Sequence, residues 1–251
     1  MMKDEIIYDC KWSNEIDSKF VSDFVYVFES VFKSTFSDAE FSRKYLKNIY
    51  GPSLLVVAYY QGNPCAARAL WRNDLDGIEA YQPGDTCVLE NCRGKGIFSE
   101  MTRKALSFVP SKAVIYNFPN HKSYSGYIKM GWRLYNDYRL KLYVSYKEFK
   151  SIHPQMMDDE YVEWYASGRK LESMKINGHY FLVAKASRRF CYRIIGEISH
   201  NISLLFPRRY TGLIFFMSPR ITWYNKNFAA NHLVTRSLDI EYIPTWKMDA
   251  L

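Results

Sequence analysis

The run Arg93-Gly94-Lys95-Gly96-Ile97-Phe98 sets two glycines and two cations where an apolar stretch (Thr86, Cys87, Val88, Leu89) gives way to helical periodicity. A strand that ends in a glycine-rich turn and enters a helix aims unpaired backbone N–H groups at one point. There the positive end of the helix dipole helps them hold a phosphate. Gly94 and Gly96 permit positive φ and close backbone approach, while Arg93 and Lys95 add cationic donors. The spacing is neither the dinucleotide fingerprint nor the P-loop, because a third glycine and a Gly-Lys-Ser/Thr are both missing. Taken alone, Arg-Gly-Lys-Gly also reads as an ordinary surface turn. Glu79 and Asp85 lie on or beside the preceding strand. Each can take an ammonium proton directly or through water, or can simply be solvated.

A second segment follows in order. The apolar run Ala113-Val114-Ile115-Tyr116 leads into Asn117-Phe118-Pro119-Asn120-His121-Lys122-Ser123 and then Tyr127-Ile128-Lys129-Met130-Gly131-Trp132. This is strand, turn and short helix, then a glycine and an aromatic residue that start another strand. With these two motifs the chain resembles the GNAT superfamily of N-acetyltransferases. Residues 93–97 are similar to that family's acetyl-CoA loop, Arg/Gln-x-x-Gly-x-Gly/Ala. Asn120, Ser123, Tyr127 and Gly131-Trp132 are similar to its second cofactor motif, Asn-x-x-Ala-x-x-x-Tyr ending in Gly-Phe. Phe98 departs from the pattern by standing where a small residue is usual. The pairing of Gly-Ile-Phe with Phe-Pro-Asn-x-x-Ser and Gly-Trp resembles a bacterial subgroup often associated with surface polysaccharide pathways.

The resemblance implies an acetyl-CoA-dependent N-acetyltransferase. Its acceptor would be a small primary amine, with an amino sugar or sugar nucleotide as one form. It implies a diphosphate held by Arg93, Gly94, Lys95, Gly96, Ile97 and Phe98, and a thioester carbonyl polarised by the N–H of Val88 or Leu89. It further implies a pantetheine contact at Asn120 and Ser123, which both also suit a helix N-cap. Tyr127 takes the place of the acid that protonates the departing thiolate, or is a packing residue in a chain with 21 Tyr. Glu79 and Asp85 are then the candidate bases. A non-catalytic CoA-binding or partner module on the same fold is the alternative, as is transfer of another acyl group.

Composition narrows the other classes. The net charge of +8 favours an anionic ligand, but the basic residues are scattered in short pairs such as Arg188-Arg189 and Arg208-Arg209, which argues against a nucleic-acid surface. Five cysteines without CxxC or metal-ligand spacing read as reduced thiols, and the five histidines form no ligand pattern, so no metal is expected. No apolar run is long enough to span a bilayer and the N-terminus carries no export signal, so a cytoplasmic protein without membrane insertion is expected. A homodimer is left open.

These motifs need elements to hold them. Helical spacing of Ile16, Phe20, Phe24, Val27, Phe28 and Val31 predicts a first helix, and Ser37-Asp38-Ala39-Glu40 opens a second. Residues 54–60, 65–72 and 78–89 read as three strands, followed by a helix from Ile97, a strand, a short helix and another strand. The fold class is α/β, a GNAT-like mixed central sheet flanked by helices. Domains are expected at 1–148 and 149–251, the second β-rich with runs at 180–186, 192–198, 213–217 and 233–243. That second part is either a degenerate GNAT-like half or an independent β-rich module.

Overall fold

The computed structural model describes residues 5–167, 169, 171–185, 190–200, 202, 206–208, 212–220, 225, 230–237 and 242–247. It falls into two compact units. The first holds Met1–Asn117, Gly126–Trp132 and Thr235–Asp239, and the second holds Phe118–Ser125, Arg133–Val234 and Ile240–Leu251.

In the first unit, β1 (Ile6–Trp12), β2 (Leu54–Tyr60), β3 (Asn63–Arg72), β4 (Ala80–Val88) and β5 (Val114–Asn117) lie side by side in that order. The first four are antiparallel neighbours, and β5 joins β4 in parallel. Strand β1 is absent from the sequence reading. It is an edge strand whose residues are half-buried or exposed, so the hydrophobic alternation of a half-buried strand is blurred. Helix α1 (Ser18–Phe32) starts at Asp17, whose carboxylate accepts from the Phe20 N–H at 2.8 Å, and it buries Phe20, Phe24 and Val27. Ser37 caps α2 (Asp38–Phe41), as its position before Glu40 predicts. A π-helical turn (Ser42–Leu46) then buries Lys44 and Tyr45. Helix α3 (Ile97–Phe108) turns Ile97, Met101 and Ala105 inward, while Phe108, expected on that face, stays exposed.

Two irregularities shape the middle of this sheet. The β3–β4 register jumps between Ala67↔Cys87 and Ala69↔Gly84, leaving Arg68 opposite both Asp85 and Thr86. Asp85 takes up the extra residue at φ 46°, a left-handed conformation typical of a β-bulge. Beyond it, β4 and β5 pair only at Ala80↔Val114 and Tyr81↔Ile115 and then part.

Helix α4 (His121–Lys129) belongs with the second unit through Ser125 and with the first from Gly126. The second unit continues with β6 (Arg133–Leu142), α5 (Tyr146–Ile152), α6 (Asp159–Ala166), β7 (Glu172–Ile176), β8 (His179–Lys185), β9 (Cys191–Ile198), β10 (Phe206–Arg208), β11 (Leu213–Ser218) and β12 (Asn231–Thr235). Strands β7, β8 and β9 form an antiparallel meander, β11 joins β9 in parallel, and β6 pairs antiparallel with β11. This repeats the order of β2–β3–β4 and β5, again with an extra residue on the third strand, Ile195, between the pairs Leu182↔Gly196 and Val183↔Ile194.

The division therefore differs from one at residue 148. Strand β6 hydrogen-bonds to β11, and Phe149 of α5 packs with Met174, Phe181, Ile194 and Phe216, so both belong to the later sequence. The expected strand at 233–243 is seen as β12 and ends at Thr235, and its stretch 238–241 lies outside the described residues. Arg188, Arg189 and Arg209 lie outside them as well. Among the described residues, no helix is long and apolar enough to cross a membrane.

Candidate active site

Strand β4 reaches the glycine loop at Val88 and Leu89, whose N–H groups point to opposite sides. Leu89 donates its N–H to the Cys65 carbonyl at 2.9 Å, so it faces β3. Backbone groups alternate sides along a strand, so Val88, paired with Ala66 in the non-hydrogen-bonded register, faces away from β3. Since β5 has already diverged, the Val88 N–H meets no strand partner, and its carbonyl accepts from Arg93 Nε at 3.2 Å.

A single 3-10 turn (Glu90–Cys92) carries the chain into the loop. Gly94 and Gly96 sit at φ 78° and 74°, and a Cβ built at either meets no heavy atom within 4 Å. The demand for glycine is thus conformational, and the space above the loop is open. Gly96 occupies the N-cap of α3 without a side-chain cap, so the N–H groups of the first turn stay available. Arg93 and Lys95 are exposed, Lys95 lying 4.8 Å from the Tyr60 ring centre, while Ile97 is buried and anchors the helix. A diphosphate fits this loop, because two left-handed glycines and a helix start turn several N–H groups to one side, flanked by two cations.

Phe98 is accommodated by a residue that sequence reading passed over. Its ring fills the place where a Cβ on Gly126 would lie, 2.9 Å from Phe98 Cε1, and it meets Tyr127 edge-on at 5.5 Å. The bulky departure from the family pattern is therefore matched by a missing side chain on α4.

Tyr127 is buried, and its hydroxyl accepts from Arg68 Nη2 and bonds the Asn117 side chain. Burial raises its pKa above the ordinary phenol value, while Arg68 opposes that rise. Asp85 is held by Lys44 Nζ at 3.1 Å and by the Tyr45 hydroxyl, both from the π-helical turn, with Lys44 lying 5.1 Å from the Trp71 ring centre. Glu79 sits apart. It accepts from Arg72 Nη1 at 3.0 Å and from the Tyr81 hydroxyl at 2.7 Å, just before β4 begins. Nine residues of strand at ~3.3 Å each separate it from Val88, about 30 Å, whereas Asp85 is about 10 Å away. The structure thus brings Asp85 into the neighbourhood of Val88 and removes Glu79 from it. Asn120, in the second unit, caps α4, its side-chain oxygen accepting from the N–H groups of Lys122 and Ser123 at 3.0 and 3.1 Å.

Arg68, Lys44, Tyr45, Asn117 and Gly126 were not singled out from sequence. Arg68 alone left a signal there, a cation in the middle of the apolar run Cys65-Ala66-Ala67-Arg68-Ala69-Leu70-Trp71. Among the described residues, no group of three or more His, Cys, Asp or Glu side chains is placed to hold a metal ion.

No protein-family model and no curated protein sequence matches the chain. Solved structures do. A conserved Enterococcus faecalis protein described as a probable N-acyltransferase is 10% identical, with a TM-score of 0.55 over 92% of this chain and 72% of that one. The fold is GNAT-like. Shorter matches are ElaA of Escherichia coli (15% identity, TM-score 0.44, 56% of this chain and 93% of that one) and a Brucella melitensis GNAT-family acetyltransferase in complex with acetyl-CoA (17%, 0.40, 53% and 85%).

Proposed function

We propose that the chain is an acetyl-CoA-dependent N-acetyltransferase acting on a small primary amine. The observation that carries this reading is the parting of β4 from β5 just ahead of the glycine loop, which leaves the Val88 N–H facing a gap in the sheet. Acetyl-CoA would supply an activated acyl group and a thiolate leaving group. The N–H groups from Gly94 to Phe98 hold a diphosphate, with Arg93 and Lys95 at its rim. The Val88 N–H donates to the carbonyl oxygen as it gains charge in the tetrahedral transition state, which is the work of an oxyanion hole. The bond from the Leu89 N–H to the Cys65 carbonyl favours Val88 over Leu89 for this role.

Asp85 is the better placed of the two carboxylates. Paired with Lys44, it orients an ammonium group or takes its proton through water. Tyr127 stays neutral at ordinary pH, which suits a proton donor, and Asn120 and Ser123 are assigned to the pantetheine arm. An amino sugar or sugar nucleotide is the proposed acceptor class. A second reading, a CoA-binding module without turnover, is favoured by the protein partners that already occupy Asp85 and the Tyr127 hydroxyl.

Calorimetry with acetyl-CoA tests the first step, and thiol release over a panel of primary amines tests the second. Micromolar binding with thiol release is the expected result. Binding without release from any amine selects the second reading, and no binding at millimolar acetyl-CoA overturns both.

A further inference from the structure

Arg68 is 0% exposed, and among the described residues no carboxylate is a partner of it. Its Nη1 donates to the Thr102 hydroxyl and to the Phe98 carbonyl at 3.4 Å, its Nη2 donates to the Tyr127 hydroxyl, and its Nε has no partner. The rings of Phe98 and Tyr127 stand 5.0 and 5.6 Å from the guanidinium carbon. Every one of these neighbours is uncharged. A guanidinium stays protonated in nearly every protein setting, so a full positive charge is buried here without a counter-ion. Such an arrangement is costly, and buried charges are ordinarily paired.

Its position suggests what the missing counter-charge is. Phe98 and Thr102 belong to the first two turns of α3, the helix whose opening N–H groups complete the glycine loop. At ~1.5 Å rise per residue, Thr102 is about 9 Å along the axis from Gly96. The guanidinium, bonded to the Phe98 carbonyl and the Thr102 hydroxyl, therefore lies beside the first two turns of α3, no more than about 9 Å along the axis from Gly96.

We propose that Arg68 is the buried counter-charge for the ligand's diphosphate, binding it across the start of α3 rather than by direct contact. The proposal rests on the coenzyme reading above. It makes Arg68 a determinant of ligand affinity that weakens the free protein, and it explains why a cation interrupts an apolar strand. Unit charges about 9 Å apart in an effective dielectric of about 20 change affinity on the order of 20-fold for each phosphate charge.

Arg68→Met removes the charge while keeping much of the bulk, and Arg68→Lys keeps the charge. Neither need orphan a neighbour: Thr102 still donates to the Phe98 carbonyl at 2.6 Å, and Tyr127 keeps Asn117. The free Arg68→Met protein should therefore melt at or above the wild-type temperature, while binding CoA and inorganic pyrophosphate at least 10-fold more weakly by calorimetry. Arg68→Lys should bind both within about 3-fold of wild type.

Equal CoA and pyrophosphate affinity in Arg68→Met and wild type overturns the proposal. So does an equal loss in both variants, or an Arg68→Met chain that no longer folds, because each assigns Arg68 a structural role. A wild type that binds pyrophosphate but not CoA overturns the coenzyme reading alone and leaves the anion assignment to be decided by the two variants. A wild type that binds neither overturns both.

Discussion

Two parallel strand pairs in this chain begin together and then part. Strands β4 and β5 separate after Tyr81 and Ile115, and β9 and β11 after Arg193 and Phe215. In the second unit the gap is closed by the chain itself. His153 donates from Nε2 to the Met217 carbonyl at 2.7 Å, and the Met157 N–H donates to the Glu197 carbonyl at 2.7 Å. In the first unit, the Val88 N–H has no such partner among the described residues. Parting strands expose backbone groups that must be satisfied, either by another piece of protein or by something that binds. The same topology thus serves as a core in one region and as a candidate ligand cleft in the other. The buried ionisable groups divide in the same way. Glu197 is buried with Lys150 Nζ at 2.8 Å, the Tyr146 hydroxyl at 2.9 Å and His179 Nδ1 at 3.3 Å, whereas buried Arg68 has only neutral neighbours.

Acid should weaken the second unit through His153, which closes its gap. Burial holds the His153 pKa down at about 4 against an ordinary 6.5. Near pH 7 both folded and unfolded chains carry it neutral. As pH falls below about 6.5 the unfolded chain binds the proton first, so stability drains until about pH 4 and then levels, a loss of about 3 kcal/mol. Urea unfolding at several pH values should show that decline in the wild type and its absence in His153→Gln. Identical slopes would mean that His153 does not seal the second gap.

Glu197 sharpens the contrast with Arg68. Replacing it by Leu strips Lys150, Tyr146 and His179 of a shared partner, and since Lys150 and His179 reach solvent, the loss should be about 2 to 3 kcal/mol. Destabilisation by Glu197→Leu beside an unharmed Arg68→Met is the expected pair of outcomes. Equal losses at both sites would erase the distinction between a satisfied network and a waiting charge.

The smallest effect concerns the wall beside the glycine loop. Gly126→Ala pushes a Cβ to 2.9 Å from the Phe98 ring, an overpacking cost partly offset by the better helix propensity of Ala, for a net loss of about 1 kcal/mol. Phe98→Leu should relieve it, giving favourable coupling in a double-mutant cycle. Additive losses would show that the two residues are not matched.

Much of the cleft side was legible from local patterns. The Ser37 cap, strands β2 to β4, the glycine loop and the opening of α3 follow from residues within a few positions of one another. Strand β1 was missed because it is an edge with a blurred alternation, and α5 because seven residues make too short a period to read. The charge pairs were also out of reach: Lys44 meets Asp85 across 41 positions and Lys150 meets Glu197 across 47.

By itself the amino-acid sequence determined where the backbone must take left-handed turns, where a helix can start, and which residue types could hold an anion, since those depend on neighbours along the chain. Only the tertiary structure decided that Val88 rather than Leu89 faces the gap, that Glu79 is engaged by Arg72 and Tyr81, and that Arg68 has no counter-charge among the described residues. The physical reason is that strand register and burial are set by which distant segments pair. A shift of one residue reverses the side to which every N–H points.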